Sequence, residues 1–459
     1  MTKSSNNKTP REIALDIVMD IAESKEGQEK FSHIVINQTL KKYEFLDKQD
    51  RGFINIISEG TLERIITIDF IINQYSNIKV KKMKPLIRNL LRISVYQIKY
   101  MDKSPDYAIC NEAVKIAKKR GFKKLSGFVN GVLRNIIRKP EKVVFPNENK
   151  EPVRSLSIKY SAPEWLVTLF IEQYGKETAK KILEDSLKEK PTSIRCNLNK
   201  TSINQLVIEL ENANVDVNRG SYLDYALKIS NYDSIDRLYG FKEGLFTVQD
   251  ESTMLVGEIA NPKKNSLVID VCAAPGGKTL HIAEKLNNTG QVISRDISEK
   301  KVELIEENIK RLELTNIKTQ MHDALELDQE LINKADIVVV DAPCSGLGVI
   351  AKKPDIKYNM TLDKQKDLVK LQRQILQTVS QYVKEGGSLI YSTCTINKEE
   401  NIENVEWFTK HYPFSLESIN GFLPDKLQSK DTNKGYISLI PGIHETDGFF
   451  IARLVRDKI

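Results

Sequence analysis

The sequence is poor in cysteine and histidine. It has five of each in 459 residues. Cys110, Cys196, Cys272, Cys344 and Cys394 are scattered, so they cannot form a disulfide framework, and no pair has metal-ligand spacing. The histidines are scattered too, which argues against a zinc site or any other metal. No uninterrupted apolar run reaches bilayer length. The opening MTKSSNNKTPREIALD lacks the apolar core of a secretory signal. These absences imply a cytoplasmic protein with reduced thiols and no membrane partner. Nothing in the sequence demands more than a monomer.

What is present is unevenly distributed. Residues 1–140 carry 27 Lys/Arg against 15 Asp/Glu, a net +12, whereas the remainder carries 42 against 47, a net −5. A basic arm on a nearly neutral body suits a polyanion such as RNA. The competing reading is a helical bundle kept soluble by lysines.

The length implies two or three domains. Residues 11–138 have helical period throughout. In REIALDIVMDIAE, Ile13, Ile17 and Ile21 share a face with Ala14, Val18 and Ala22 beside them. Pro140, Pro146 and Pro152 with polar filler mark a linker at 141–160. SAPEW then opens a helix, with Ser161 as cap, Pro163 in the first turn and Glu164 completing a capping box. Residues 161–245 alternate short strands (TSIRCNL, YALKIS) with a helix (INQLVIELENA), a small α+β module. From 246 to 459 strands and helices alternate. SLVIDV, QVISRD, IKTQMHD, DIVVVD and GSLIYST are the strands of a parallel sheet covered on both faces. The tail, PGIHETDGFFIARLV, reads as a hairpin closing one edge.

The loop after the first of these strands is CAAPGGKT, Cys272 to Thr279. It resembles a phosphate loop, so an ATPase is a real alternative. Yet Cys272 replaces the first glycine on which a phosphate nest depends. Asp296 ends the second strand, 19 residues after Gly277, where a carboxylate suits ribose hydroxyls. Asp323 ends the third and can accept from an adenine amino group. A glycine loop and two acids on successive strand ends describe an adenosine site without a triphosphate, and S-adenosyl-L-methionine fits it best. Helix capping is the weaker reading of these acids.

The fourth strand ends in Asp341-Ala-Pro-Cys344 and the fifth in YSTCTI, with Cys394. Parallel strands bring their carboxyl ends to one side. Cys110, Cys196 and the Cys272 side chain read as small apolar filler. Two thiols beside a methyl donor read instead as covalent catalysis at a carbon of a pyrimidine ring. Asp341 is placed to contact the ring nitrogen. A non-catalytic RNA-binding factor is the remaining alternative, suggested by the N-terminal third.

CAAPGGKT, DAPCSG, KPDIK, YSTCTINKEEN and TDGFFIA together resemble the NOL1/NOP2/Sun family of RNA 5-methylcytosine methyltransferases, over roughly residues 150–459. Residues 1–140 resemble a NusB-like RNA-binding domain. The resemblance implies a multidomain chain: an all-α NusB-like bundle, the small α+β module, and an α/β Rossmann-like class I methyltransferase domain. It implies small-subunit ribosomal RNA as the partner and S-adenosyl-L-methionine as the cofactor. It makes Cys394 the nucleophile, Cys344 the residue that aids product release, and Asp341 the base contact. Cys272, Ala273, Ala274, Pro275, Gly276, Gly277, Lys278, Asp296, Asp323 and Asp341 become cofactor contacts. Lys278 also reaches toward the base, and Tyr358 and Phe449 are candidates to hold it. Two positions depart from the family pattern: Leu347, where threonine is common, and Ala351-Lys352-Lys353, where arginines are common.

Overall fold

The computed structural model describes residues 8–24, 30–101 and 105–458. The chain divides into two compact units. The first runs to Leu187 and takes in Ile350–Asn359. The second comprises Lys188–Val349 and Met360 onward. Among the described residues no helix is long and apolar enough to cross a membrane.

The first unit is helical. Thr9 starts the helix Pro10–Ala22 with a capping box: its side chain accepts from Glu12 N, and Glu12 returns the bond to Thr9 N. Ile13, Ile17, Ile21, Ala14 and Val18 are all buried, as their period requires. Helices Lys48–Glu63 and Pro85–Tyr100 cross closely at Gly60, where an added Cβ would lie 2.1 Å from the Tyr96 ring. Gly121, at φ +87°, follows the end of helix Asp106–Lys119.

The proline-rich stretch differs from expectation. Pro140–Lys142 is a 3-10 turn, and Pro152 opens a helix, Pro152–Tyr160, inside the presumed linker. Proline is tolerated in a first turn because its missing N–H would be unpaired there anyway. Ser161 does not cap the following helix. It ends the preceding one at φ 51°, and its hydroxyl accepts from Ile66 N at 3.0 Å. Helix Glu164–Tyr174 has Pro163 at its N-cap and no side-chain cap, so the expected capping box is absent.

Ile350–Asn359, which contains KPDIK, packs in this first unit. The Lys357 ammonium is buried and donates to Glu63 O at 2.9 Å. Burial pushes its pKa down to about 7. The Tyr358 hydroxyl bonds Glu63 O (2.8 Å) and Ser161 O (3.0 Å), and Asp355 accepts from Ser32.

The second unit holds two sheets. The small one is antiparallel, with strands β1 (Thr192–Cys196), β2 (Asp216–Arg219), β3 (Ala226–Ser230) and β4 (Phe246–Val248) in the order β2-β3-β1-β4. Helix Ile203–Asn212 packs against it. Phe246–Val248 pairs with β1, so it completes the module rather than opening the larger sheet.

The larger sheet contains β5 (Leu267–Asp270), β6 (Gln291–Asp296), β7 (Ile317–Met321), β8 (Ala335–Asp341), β9 (Val383–Thr393), β10 (Phe414–Leu416), β11 (Tyr436–Leu439) and β12 (Phe449–Arg456). Its order is β10-β12-β9-β8-β5-β6-β7, with β11 also on β12. β5 to β9 are parallel, and β12 is antiparallel to β9. Alternate residues enter opposite cores. Val268, Val292, Val339 and Ile451 pack on one face, and Ile269, Ile293, Val338 and Phe450 on the other. Each fully buried Val or Ile contributes about 1.5–3 kcal/mol, which fixes the register. The tail does not close an edge. Its hairpin partner is the upstream β11, and β12 is internal, with β9 on one side and β10 and β11 on the other.

The chain runs outward from β5 through β6 to β7, then returns to β8 on the other side of β5. That reversal opens a crevice at the carboxyl ends of β5 and β8, where ligands bind in open α/β sheets.

Candidate active site

The glycine loop leaves β5 at Asp270 and ends in helix Gly277–Lys285. Gly276 takes φ +105°, a conformation favoured by glycine. Asp296 at the end of β6 braces the loop: Oδ2 accepts from Ala274 N at 2.9 Å, and Oδ1 accepts from Ile297 N at 2.8 Å. Lys301 Nζ adds an ion pair at 3.0 Å. Asp323, just past β7, accepts from Leu325 N at 2.9 Å in a local turn. The Cys272 thiol is half-buried, and burial raises its pKa.

Asp270 carries a role its sequence position did not announce. It is fully buried at the end of β5 and accepts from the Thr279 hydroxyl at 2.6 Å. Its other oxygen has no side-chain or backbone donor within bonding geometry. Burial raises its pKa to about 6, against the Thr279 bond and the Lys278 charge, which lower it. The arrangement bears on the phosphate-loop alternative. There the lysine and the hydroxyl of GK[ST] face phosphates and magnesium. Here Thr279 is tied to Asp270 and Ser294, and Lys278 donates to Asp341 Oδ2 at 2.6 Å.

The two strand-end thiols meet. Cys344 Sγ and Cys394 Sγ are 3.2 Å apart. β8 and β9 are parallel neighbours, with Asp341 opposite Ser392, so both cysteines leave the sheet on the same side. Asp341 accepts from the Ser392 hydroxyl at 2.8 Å through Oδ1 and from Lys278 through Oδ2. Lys278 also lies 5.3 Å from the centre of the Phe449 ring. The hydrogen bond shared with Cys394, then burial and the Cys394 charge, hold the Cys344 pKa well above its ordinary value. Cys344 therefore keeps its proton. Burial lowers the Lys278 pKa, but the Asp341 carboxylate outweighs it and the net shift is upward, so Lys278 stays charged.

A buried carboxylate clamps the two cysteine loops together. Glu400 accepts from Ser345 N (2.8 Å), Ser345 Oγ (2.5 Å), Gln372 Nε2 (3.0 Å) and Asn397 Nδ2 (3.2 Å). Gln372 Nε2 also donates to Pro343 O at 2.9 Å. A second brace uses glycines. Gly348 N donates to Cys394 O, and Gly448 N donates to Gly348 O. A Cβ on Gly348 would sit 2.0 Å from Gly448 O. Inspection of the sequence did not single out Glu400 or the Gly348–Gly448 contact. The only trace there was their presence inside NKEEN and TDGFF.

The two proposed aromatic base holders fare differently from expectation. The Tyr358 hydroxyl is occupied within the first unit. Phe449 is buried in the sheet core and forms the floor beneath Lys278. Leu347 is buried as well, so the threonine-to-leucine departure falls in packing. Cys110 and Cys196 are buried, consistent with apolar filler.

Three family models match the chain. They are 16S rRNA methyltransferase RsmB/F over residues 258–455, the NusB family over 8–138, and the RsmF/B-like ferredoxin-like domain over 162–236. The probable ribosomal RNA small subunit methyltransferase B of Bacillus subtilis is 38% identical, covering 97% of this chain and 98% of that protein. The crystal structure of PH0851 superposes with a TM-score of 0.79 at 26% identity, covering 98% of this chain and 99% of that one. NSun6 from Pyrococcus horikoshii, solved with SFG, gives a TM-score of 0.58 at 26% identity over 65% of this chain and 99% of its own. With its strand-end thiols, glycine loop and helical N-terminal unit, this chain belongs to the 16S rRNA methyltransferase RsmB/F family.

Proposed function

We propose that the chain transfers a methyl group from S-adenosyl-L-methionine to carbon 5 of one cytosine in 16S rRNA, through a covalent cysteine–cytosine intermediate. The carrying observation is the 3.2 Å approach of Cys344 and Cys394 beside the Lys278–Asp341 pair. Methylation of an exocyclic amine needs no thiol, and a lone structural cysteine needs no partner. The donor is supported by the glycine loop at the sheet's reversal and by NSun6, whose structure includes SFG, an analogue of S-adenosyl-L-methionine.

The donor supplies an electrophilic methyl group on its sulfonium sulfur. Carbon 5 of cytosine is a weak nucleophile. The Cys394 thiolate adds to carbon 6, and the ring becomes an enamine whose carbon 5 can take the methyl group. As charge develops on ring nitrogen 3, the Lys278 ammonium passes a proton through Asp341, held by Ser392, to that nitrogen, and the pair takes it back when the product forms. The bond to carbon 6 removes the Cys394 anion. With it goes the largest cause holding the Cys344 proton. Cys344 then releases its proton to water, and the thiolate left behind accepts the carbon 5 proton while the freed electron pair expels Cys394 as thiolate.

The loop contacts of Cys272 to Lys278, with Asp296 and Asp323 for ribose and adenine, belong to the same proposal. So do RNA binding by the basic NusB-family region, a cytoplasmic location and a monomeric state. The target base must leave its stack to reach these thiols.

Bisulfite mapping of unmodified 16S rRNA treated with the purified protein and donor tests the reading. A single new 5-methylcytosine is expected with the wild type and none with Cys394→Ala. Full activity of Cys394→Ala would refute the covalent route.

A further inference from the structure

Gln249 lies outside every motif discussed above, yet its side chain ends at the glycine loop. It is 5% exposed, and its Nε2 has no hydrogen-bond partner. An amide so buried normally donates, and leaving it unpaired costs about 1–3 kcal/mol. Its orientation is fixed. Arg195 Nε donates to Gln249 Oε1 at 2.7 Å, and arginine has no acceptor, so the oxygen must face Arg195 and the NH2 must face away. Arg195 is itself buried and held by both oxygens of Glu284. The amide is therefore rigid before any ligand arrives.

What the NH2 faces follows from Gly277. A Cβ built on Gly277 would lie 3.8 Å from Gln249 Cδ and 3.9 Å from its Cγ and Nε2, so the Gln249 side chain runs alongside Gly277. Cα–Cβ bonds tilt toward the helix N-terminus, so the amide sits beside the first turn of helix Gly277–Lys285. No side chain caps that helix. Its first N–H groups and its positive dipole end are therefore available to an anion. Two independent sets of donors, one backbone and one side chain, therefore lie side by side.

We propose that Gln249 is a donor-binding residue: its side-chain amide, with the N-terminus of helix Gly277–Lys285, holds the carboxylate of the methionine portion of S-adenosyl-L-methionine. This rests on the donor reading under Proposed function. The carboxylate is the one anionic group of that molecule. The acids at the ends of β6 and β7 suit its neutral adenosine end, which leaves the uncapped helix for the amino-acid end.

Calorimetric titration with two probes tests this on the full chain. S-adenosylhomocysteine carries the carboxylate, and 5′-methylthioadenosine lacks it. Gln249→Glu keeps the size and the acceptor for Arg195 but replaces the NH2 with an anionic oxygen. It should weaken S-adenosylhomocysteine at least tenfold and leave methylthioadenosine within twofold of wild type. In methyl transfer, the donor KM should rise with kcat nearly unchanged. Unchanged S-adenosylhomocysteine binding would overturn the assignment. An equal loss for both probes would also overturn it, since that marks a structural role. A loss confined to RNA affinity would put a phosphate at this point instead. If the wild type binds neither probe, the donor reading itself falls, and this inference with it.

Discussion

Glu400→Gln is the most informative perturbation of the catalytic framework. The carboxylate accepts four hydrogen bonds from three side chains and one backbone N–H, all in a site where Glu400 is 0% exposed. Its two oxygens divide the work. Oε2 takes Ser345 N and Gln372 Nε2, and Oε1 takes Ser345 Oγ and Asn397 Nδ2. An amide keeps the shape but turns one oxygen into a donor. Either orientation therefore sets an NH2 against at least one buried donor that cannot reverse. Bonds to a charged acceptor are worth about 1.5–3 kcal/mol each, so losing two costs about 3–6 kcal/mol. Ser345 follows Cys344, and Thr395 follows Cys394 and bonds the Ser345 hydroxyl at 2.7 Å. Loosening the clamp lets the two sulfurs drift apart. A displacement of about 1 Å at reacting groups costs on the order of 100-fold in rate. The expected result is a kcat about 100-fold lower with donor affinity unchanged, because the glycine loop makes none of these bonds. Single-turnover methyl transfer and donor titration measure the two quantities. Wild-type kcat in Glu400→Gln would refute the view that this carboxylate holds the thiols in register.

Two further predictions follow from the same geometry. Cys344→Ala should still form the carbon–sulfur bond but release product slowly, giving a retarded protein–RNA band on a denaturing gel; a variant that turns over without any such band would deny Cys344 the release step. For Asp270, the sign is set by its raised pKa. Its folded value of about 6 lies above the ordinary carboxylate value, so the folded state holds the proton more tightly, and stability falls as pH rises from about 4 through 6. About two units correspond to about 3 kcal/mol. The stability of the wild type relative to Asp270→Asn should therefore drop by that order between pH 4 and pH 7 in denaturant melts, and a flat difference would contradict the buried, charge-penalised carboxyl.

Much of the architecture could be read from pattern. The helical period of the N-terminal region and the alternation of apolar strands with amphipathic helices both follow from local geometry, and the structure has them. Boundaries were less legible. Ser161 looked like a helix cap because serine before Pro-Glu usually is one, but tertiary packing used its hydroxyl for Ile66 N and its backbone to end the previous helix. Phe246–Val248 fell just past the expected end of the small module at 245, yet its partner is β1, some 50 residues earlier. KPDIK carried part of the family resemblance, with Tyr358 beside it a candidate to hold the base, but Lys357 and Tyr358 bond Glu63 in the first unit.

By itself the sequence determined which chemistry was possible. It put a thiol at the end of each of two apolar strands, a glycine loop after a third, and acids after the next two. Those are properties of residue type and spacing, and spacing along a strand fixes which end a side chain occupies. Only the tertiary structure decided which groups touch: that the sulfurs stand 3.2 Å apart, that Lys278 pairs with Asp341, that Glu400 binds both loops, and that the Gln249 amide lies beside Gly277. Contacts between residues some 30 to 60 positions apart depend on strand order and on loops closing over one another. No local pattern in a chain records either.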